Sequence, residues 1–170
     1  MGLVEQDFAT YRAVFRAENS VDAPPPLCAG FAFVDADADR AKEMAHRYIG
    51  DYYRTVMKHY EFAAAPHEGI KGYEFYTHIT RYIDRHGVGG AIDDFVRLAP
   101  WGTPDQVLEK LAFIRRTIGA TAFMPGFSFA GMPYHEAERS LRLFAREVMP
   151  ELRRWEAEPS PDQVRPAAPV

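Results

Sequence analysis

The sequence predicts an α/β fold in which short parallel strands alternate with long amphipathic helices. Residues 27–34 form a continuous run of apolar and small residues, with the length and composition of a strand buried on both faces. An apolar stripe with three–four spacing then extends from Met44 to Tyr60, which is typical of an amphipathic helix. Helix-length and strand-length patterns alternate along the rest of the chain, and this order favours parallel βα units.

Length and composition restrict the class of protein. The chain has 170 residues, of which 47% are hydrophobic and 26% charged, enough for one domain with a core. A complete eight-stranded α/β barrel typically needs about 250 residues, so the chain is too short for one. The formal charge of −4, without a basic block, argues against nucleic acid or an anionic membrane as a partner.

The sequence predicts a cytoplasmic protein without a membrane anchor. The first residues lack the basic region and apolar core of a secretory signal. The longest apolar runs are far shorter than the roughly 20 residues that span a bilayer. The single cysteine, Cys28, excludes a disulfide framework, and its apolar surroundings predict a buried thiol rather than a nucleophile.

The first half of the chain predicts a helix, a strand and a long second helix. A weak apolar spacing favours a helix over residues 7–17, and the three prolines at 24–26 favour extended backbone before the strand. One of the aspartates in residues 35–39 is expected to cap the long helix. The tyrosine-rich stripe of this long helix has two interpretations, a cofactor surface or core packing. Core packing is favoured, because it is enough to explain the helical spacing.

The middle of the chain carries weaker signals and one strong one. A helix is predicted over residues 72–85, ended by a turn at the glycine-rich residues 87–90, and residues 95–98 are a candidate short strand. Residues 103–106, Thr-Pro-Asp-Gln, then form a nearly complete helix start with a capping box. Gly119 is a suitable stop for that helix.

The last part of the chain predicts a strand, a loop and a closing helix. Residues 121–129 have the composition of a strand, and residues 130–133 form the loop after it. The closing helix is predicted over residues 134–155, with a kink or break at Pro150. Residues 156–170 are rich in proline, alanine and charge, so a disordered tail is predicted.

Known catalytic and metal-binding signatures do not occur in the sequence. The six histidines fall in no HExxH or His/Cys ligand spacing, so no metal site is predicted. Ser128 lies between two aromatic residues rather than in a Gly-x-Ser-x-Gly elbow, which argues against a serine hydrolase. The glycines at 87–90 do not form a phosphate-binding loop pattern.

Position in the fold therefore guides the search for a site. Ligand sites of parallel α/β sheets lie at the carboxyl ends of strands, which selects residues 35–39, 101–103 and 127–133. The third segment is the most suggestive, because it offers a hydroxyl, close backbone approach and apolar walls for a flat aromatic ligand. Its candidate cofactor- or substrate-facing residues are Ser128, Phe129, Gly131 and Met132. Alternatively, Phe127 and Phe129 belong to the sheet core.

Several stretches resemble the bacterial-luciferase-like family of flavin-dependent monooxygenases. The similarity extends over residues 8–155, and the motif of the closing helix is the most specific part of it. The main stretches are WGTPDQVLEK at 101–110, FSFAGMP at 127–133 and AERSLRLFAREVMPEL at 137–152. Shorter similar stretches are FAFVDAD at 31–37, HYEF at 59–62 and KGYEF at 71–75.

The resemblance implies that residues 1–155 are the carboxyl-terminal segment of a (β/α)8 barrel. The segment would contain the last three or so βα units, with parallel strands and long outer helices. FMN or a deazaflavin is the implied cofactor, with binding to this segment alone left open, and the implied substrate is an unidentified small molecule. In that family the catalytic residues and most flavin-phosphate contacts lie in earlier strands, so no catalytic residue is assigned. Ala130 stands where the family usually has the first glycine of its loop.

Three functions are compatible with these observations. The first is part of a flavin-dependent monooxygenase-type oxidoreductase, and the second is a non-catalytic relic or assembly module. A helix-rich interaction domain, supported only by the long aromatic helix, is the third. Three parallel strands cannot close a barrel and would leave open edges and an exposed face. We therefore expect a homo-oligomer or pairing with a complementary half-barrel.

Overall fold

The computed structural model describes residues 2–60, 62 and 69–157. Its elements in chain order are α1 (Gly2–Asn19), β1 (Leu27–Phe31), β2 (Phe33–Val34), α2 (Ala38–Met44), α3 (Gly50–His59), α4 (Glu74–Leu98), β3 (Trp101–Gly102), α5 (Pro104–Ile118), β4 (Ala122–Gly126), α6 (Tyr134–Leu143) and α7 (Met149–Ala157). Short π-helical segments, Ala45–Ile49 and Phe144–Val148, join α2 to α3 and α6 to α7. Residues 158–170, most of the predicted disordered tail, lie outside the described residues, whereas residues 156 and 157 belong to α7.

The strands are parallel. Residues 27–34, which were predicted as one strand and form β1 and β2, lie between β3 and β4. β1 pairs with β4, and β2 pairs with β3. The N–H of Ala32 donates to the carbonyl of Gly126 at 3.0 Å, whereas the N–H of Phe33 donates to the carbonyl of Pro100 at 3.3 Å. Because successive N–H groups along a strand point to opposite edges, β4 and β3 flank residues 27–34 on opposite sides.

The predicted mixed α/β class with parallel strands is confirmed. Along the chain, β2 leads into α2, β3 into α5 and β4 into α6, so three strand-to-helix successions are present. The strands are short, and helices make up most of the described chain. Within residues 2–60, 62 and 69–157, the strands pair two by two and do not close into a barrel.

The predicted starts of two helices, α2 and α5, are confirmed. Asp37 caps α2, since its side chain accepts from the N–H of Asp39 at 2.9 Å and of Arg40 at 3.1 Å. Thr103 caps α5 in a complete capping box, in which the side chain of Gln106 accepts from the Thr103 N–H at 2.9 Å. Both caps satisfy amide groups that the first turn of a helix leaves without partners.

The prediction of a strand at residues 95–98 is wrong, because α4 continues to Leu98 and the strand begins at Trp101. Ile92 and Val96 are buried one helical turn apart, and the ring of Phe95 stacks on Tyr53 at 4.3 Å between centroids. This four-residue spacing is helical and not alternating. The predicted turn at residues 87–90 reduces to one residue, Gly87, whose φ of 74° interrupts an otherwise helical segment.

The core consists of two hydrophobic clusters. One contains Phe33 and packs α2, α3 and α4 together with Phe129 and Met132. The other contains Val34 and packs α5 against the closing helix. Phe33 and Val34 are adjacent strand residues, which point to opposite faces, so the two clusters cover opposite faces of the strand run near its carboxyl end.

Candidate functional site at the carboxyl ends of the strands

A cluster of four charged residues joins two of the three segments selected from the sequence. Asp35 follows β2, and its side chain is only 6% exposed. It accepts from the guanidinium groups of Arg40 and Arg139 and from the backbone N–H of Asp37. Arg40 lies in the first turn of α2 and Arg139 in α6, so Asp35 connects the two helices that follow β2 and β4.

Glu136 completes this cluster, which we call the carboxylate–arginine clasp (Asp35, Arg40, Glu136 and Arg139). A terminal nitrogen of Arg40 lies 2.6 Å from both carboxylate oxygens of Glu136. The hydrogen bond to Glu136 is the largest cause that raises the pKa of Arg40, and the charge of Asp35 adds to it. Two carboxylates balance two guanidinium groups, so the clasp has no net charge and favours a structural role.

The clasp fixes the position of the 127–133 loop. Glu136 stands in the first turn of α6, directly after the loop, and Asp35 directly follows β2. Because charge-assisted hydrogen bonds are short and directional, the clasp sets where the end of the loop lies relative to the strands. Arg40 and Glu136 are 96 residues apart, and no local sequence pattern connects them. Sequence reasoning therefore missed both residues.

Ser140 is a second residue that sequence reasoning missed. It is fully buried, and its hydroxyl oxygen accepts from the N–H of Val34 at 2.8 Å. The N–H of Val34 points toward the β4 side, beyond the last paired residue of β4, so Ser140 replaces a strand partner there. The neighbouring Leu141 is 47% exposed, so the polar Ser140 and not the apolar Leu141 takes the buried position. The signal was the spacing of Ser140 from Ala137 and Phe144.

The structure divides the four candidate residues of the loop into two pairs. Phe129 and Met132 are buried in the cluster that contains Phe33, and the ring of Phe129 lies 4.5 Å from that of Phe31. Ser128 and Gly131 are exposed. The loop therefore presents a hydroxyl and a bare backbone segment to its surroundings, while its aromatic ring and thioether are packed in the core.

The backbone of the loop turns through two left-handed residues. Ala130 has a φ of 51° and Gly131 a φ of 70°. The N–H of Met132 donates to the carbonyl of Phe129 at 3.0 Å and closes the turn. A left-handed φ favours glycine, because a Cβ crowds the backbone there. This conformation gives a physical reason for glycine at position 130 in the resembling family.

Other candidate groups lie away from the loop. Cys28 is partly buried in β1, and burial raises the pKa of its thiol, which disfavours the nucleophilic thiolate. His46 is part-buried, with Nδ1 3.4 Å from Asp93 and its ring 5.9 Å from Trp101. In the described ranges, no three His, Cys, Asp or Glu side chains are grouped closely enough to hold a metal ion. Nor does any helix in those ranges combine the length and apolarity needed to cross a membrane.

Comparisons with known proteins show a similarity in fold. No protein-family model matches the chain, and no curated protein matches it. Among solved structures, the chain is similar to the monooxygenase RslO1 from Streptomyces bottropensis, with a TM-score of 0.54 and 18% sequence identity. The match covers 87% of this chain and 37% of RslO1, so the chain spans little more than a third of that protein's length. At this identity the match shows the fold alone, which is shared with part of a monooxygenase.

Proposed function

We propose that this chain is the carboxyl-terminal βα portion of a luciferase-like flavin-dependent monooxygenase. Its complete fold would be a (β/α)8 barrel, in which β3 would separate β1 from β4, which pair here, and all helices would lie on the outer face. The observation that carries the proposal is the parallel arrangement of strands, which places the family-like FSFAGMP loop at the carboxyl end of β4. The similarity in fold to part of a monooxygenase supports it. A bound flavin, FMN or a deazaflavin, would supply the redox chemistry.

The exposed half of the loop fits one side of a flavin site. The hydroxyl of Ser128 is exposed and can exchange a hydrogen bond with a polar ring edge, and at Gly131 no other atom lies within 4 Å of where a Cβ would stand. Phe129 and Met132 are buried in the core and anchor this segment. These groups would orient a planar ring and keep water from one of its sides.

The two arginines of the clasp do not fit the phosphate of FMN. The guanidinium groups of Arg40 and Arg139 are both engaged by carboxylates of the clasp, so neither is free for a phosphate. We therefore propose that this chain contributes a wall and that other polypeptide contributes the phosphate contacts. The catalytic residues stay unassigned.

A second candidate function is a non-catalytic assembly module. It is favoured by a specific observation, the paired β1 and β4, whose apolar residues Leu27 and Met124 are exposed on one face. Such a module would bind polypeptide rather than flavin. The two functions therefore differ in a property that can be measured directly.

Titration of FMN, and separately of a deazaflavin, with the purified chain tests the flavin proposal. We expect quenching of flavin fluorescence at micromolar concentrations, and a loss of about three- to tenfold in affinity for Ser128→Ala, the value of one hydrogen bond. Thr121→Ala is the matched control, because Thr121 is an exposed hydroxyl beyond the opposite end of β4. An absence of binding at high flavin concentration, or equal losses for the two variants, would contradict the proposal.

A further inference from the structure

A sharp bend divides α4 into two helical halves. At Gly87 the backbone has a φ of 74° and a ψ of 163°, a conformation that is essentially restricted to glycine. Residues 74–86 precede the bend, and residues 88–98 follow it. We call residues 74–86 the flap.

A hydrogen bond joins the two halves across the bend. The hydroxyl of Tyr82, in the flap, donates to the carboxylate of Asp94, and the ring of His86 stacks on that of Tyr82 at 4.2 Å between centroids. In a straight α-helix the 12 residues from Tyr82 to Asp94 would span about 18 Å along the axis, which is farther than the two side chains reach. The hydrogen bond therefore exists only while the helix is bent.

The pattern of apolar residues also requires the bend. Ile83 in the flap and Ile92 in the second half are both buried, and both belong to the cluster that contains Phe33. They are separated by about two and a half helical turns, so in a straight helix they would lie on opposite sides. A straightened α4 would therefore expose one of the two.

The flap is packed less firmly than the second half of α4. Ile83 is the only residue of 74–86 that is buried, whereas Ala91, Ile92 and Val96 are all buried in the second half. Segments that bury little apolar surface open at a lower free energy than the rest of a domain. We therefore expect the flap to open before the second half does.

Glycines with a left-handed φ lie at both ends of the flap. Gly72 has a φ of 90° and Gly87 a φ of 74°. At both positions no atom beyond the neighbouring residues lies within 4 Å of where a Cβ would stand. Glycine backbone in open space can absorb the changes in φ and ψ that a hinge requires. The flap can therefore turn as one helical unit.

We propose that the flap is a hinged segment that opens and closes as a unit, with the hydrogen bond between Tyr82 and Asp94 as its latch. In the closed position it covers part of the hydrophobic cluster into which Phe129 and Met132 of the candidate loop are packed. The latch therefore controls how far solvent and small apolar molecules reach that cluster. The inference goes beyond the proposed flavin function and does not depend on it.

Amide hydrogen exchange of the full chain, resolved by residue, tests the latch. In the unaltered protein we expect residues 79–86 to exchange faster than residues 92–98. Tyr82→Phe keeps the ring but removes the hydroxyl, and we expect it to speed exchange of residues 79–86 at least about tenfold, the value of a hydrogen bond to a charged group. Tyr134→Phe is the matched control and changes nothing, because Tyr134 is an exposed tyrosine on α6.

Two glycine variants test the hinge. Gly87→Ala strains the closed conformation and is expected to speed exchange of residues 79–86 at least about tenfold. Gly89→Ala is its control, because Gly89 is also surrounded by open space and has no left-handed φ. Alanine favours a helix over glycine, so this variant is expected not to speed exchange.

The region in which exchange changes decides the outcome. Faster exchange that is confined to residues 79–86 in Tyr82→Phe and Gly87→Ala supports the proposal, and Tyr82→Phe decides alone if Gly87→Ala does not fold. Equal changes in α5 and α6 overturn it, because the substitutions then act on unfolding of the whole chain. Unchanged exchange in Tyr82→Phe, or equal rates for the two halves of α4 in the unaltered protein, also overturns it. The flavin titration is independent of these results.

Discussion

Single residues at the carboxyl ends of the strands decide how the loop of the candidate site is held. Ala130 adopts a left-handed φ of 51°, a conformation that costs an L-residue about 1–2 kcal/mol. The clasp holds the end of the loop with a side chain that is almost fully buried, Asp35, and Ser140 provides a hydroxyl where β4 has ended. Each of these residues affects the conformation of the loop and is assigned no part in a reaction.

Ala130→Gly is expected to stabilise the chain. Glycine relieves the left-handed strain but increases the conformational freedom of the unfolded chain, so the net gain is about 0.5–1 kcal/mol. The matched variant Gly131→Ala is expected to destabilise by about 1 kcal/mol, since Gly131 has a φ of 70° and open space around it. Urea unfolding measures both. A loss of stability in Ala130→Gly would show that the alanine methyl makes a contact that outweighs the strain.

Arg40→Ala tests the clasp. The variant leaves the carboxylates of Asp35 and Glu136, which are 6% and 15% exposed, with Arg139 as the remaining guanidinium of the clasp, and we expect a loss of about 1–2 kcal/mol. Arg142→Ala is the control: it removes the exposed pair between Arg142 and Glu138 within α6 and is expected to cost about 0.5 kcal/mol or less. Equal losses in urea unfolding would mean that burial adds nothing to the clasp.

At the scale of elements, the sequence predicted best where the signals are local. The capping box at Thr103, the cap at Asp37 and the strand at residues 27–34 depend on neighbours within a few positions, and the structure has them. The strand predicted at residues 95–98 is wrong because a short apolar run fits both a strand and a helix. The clasp was missed because it depends on residues nearly a hundred positions apart.

The start of α4 provides a prediction about pH. Glu74 accepts from the N–H of Gly72 at 3.1 Å, and hydrogen bonds from its own backbone and from Gly72 lower the pKa of its carboxyl below the usual value. A lowered pKa in the folded state means that the contribution to stability is present above the unfolded pKa and is lost as the pH falls through the folded value.

Glu74→Gln measures that contribution. The free energy of unfolding of wild type should exceed that of the variant near neutral pH, and the difference should shrink as the pH falls through the folded pKa of Glu74. The comparison requires urea unfolding of both proteins at several pH values. A difference that persists unchanged at low pH would show that the carboxylate charge is not its source.

At the scale of the whole molecule, the order of the strands in the sheet could not be predicted from the sequence. The sequence predicted parallel strands with helices, and the structure shows them, with residues 27–34 between β3 and β4. Such an order depends on which strand edges meet, and no local pattern encodes that choice.

The central claim is that the loop after β4 forms one wall of a flavin site, and amide chemical-shift mapping during a titration with FMN tests it most directly. We expect the amides of Ser128, Gly131 and Met132 to shift in a saturable manner, while those of Leu27 and Thr121, at the amino ends of the same strands, stay unchanged. Saturable shifts confined to the amino ends, or no shifts at millimolar FMN, would contradict the account.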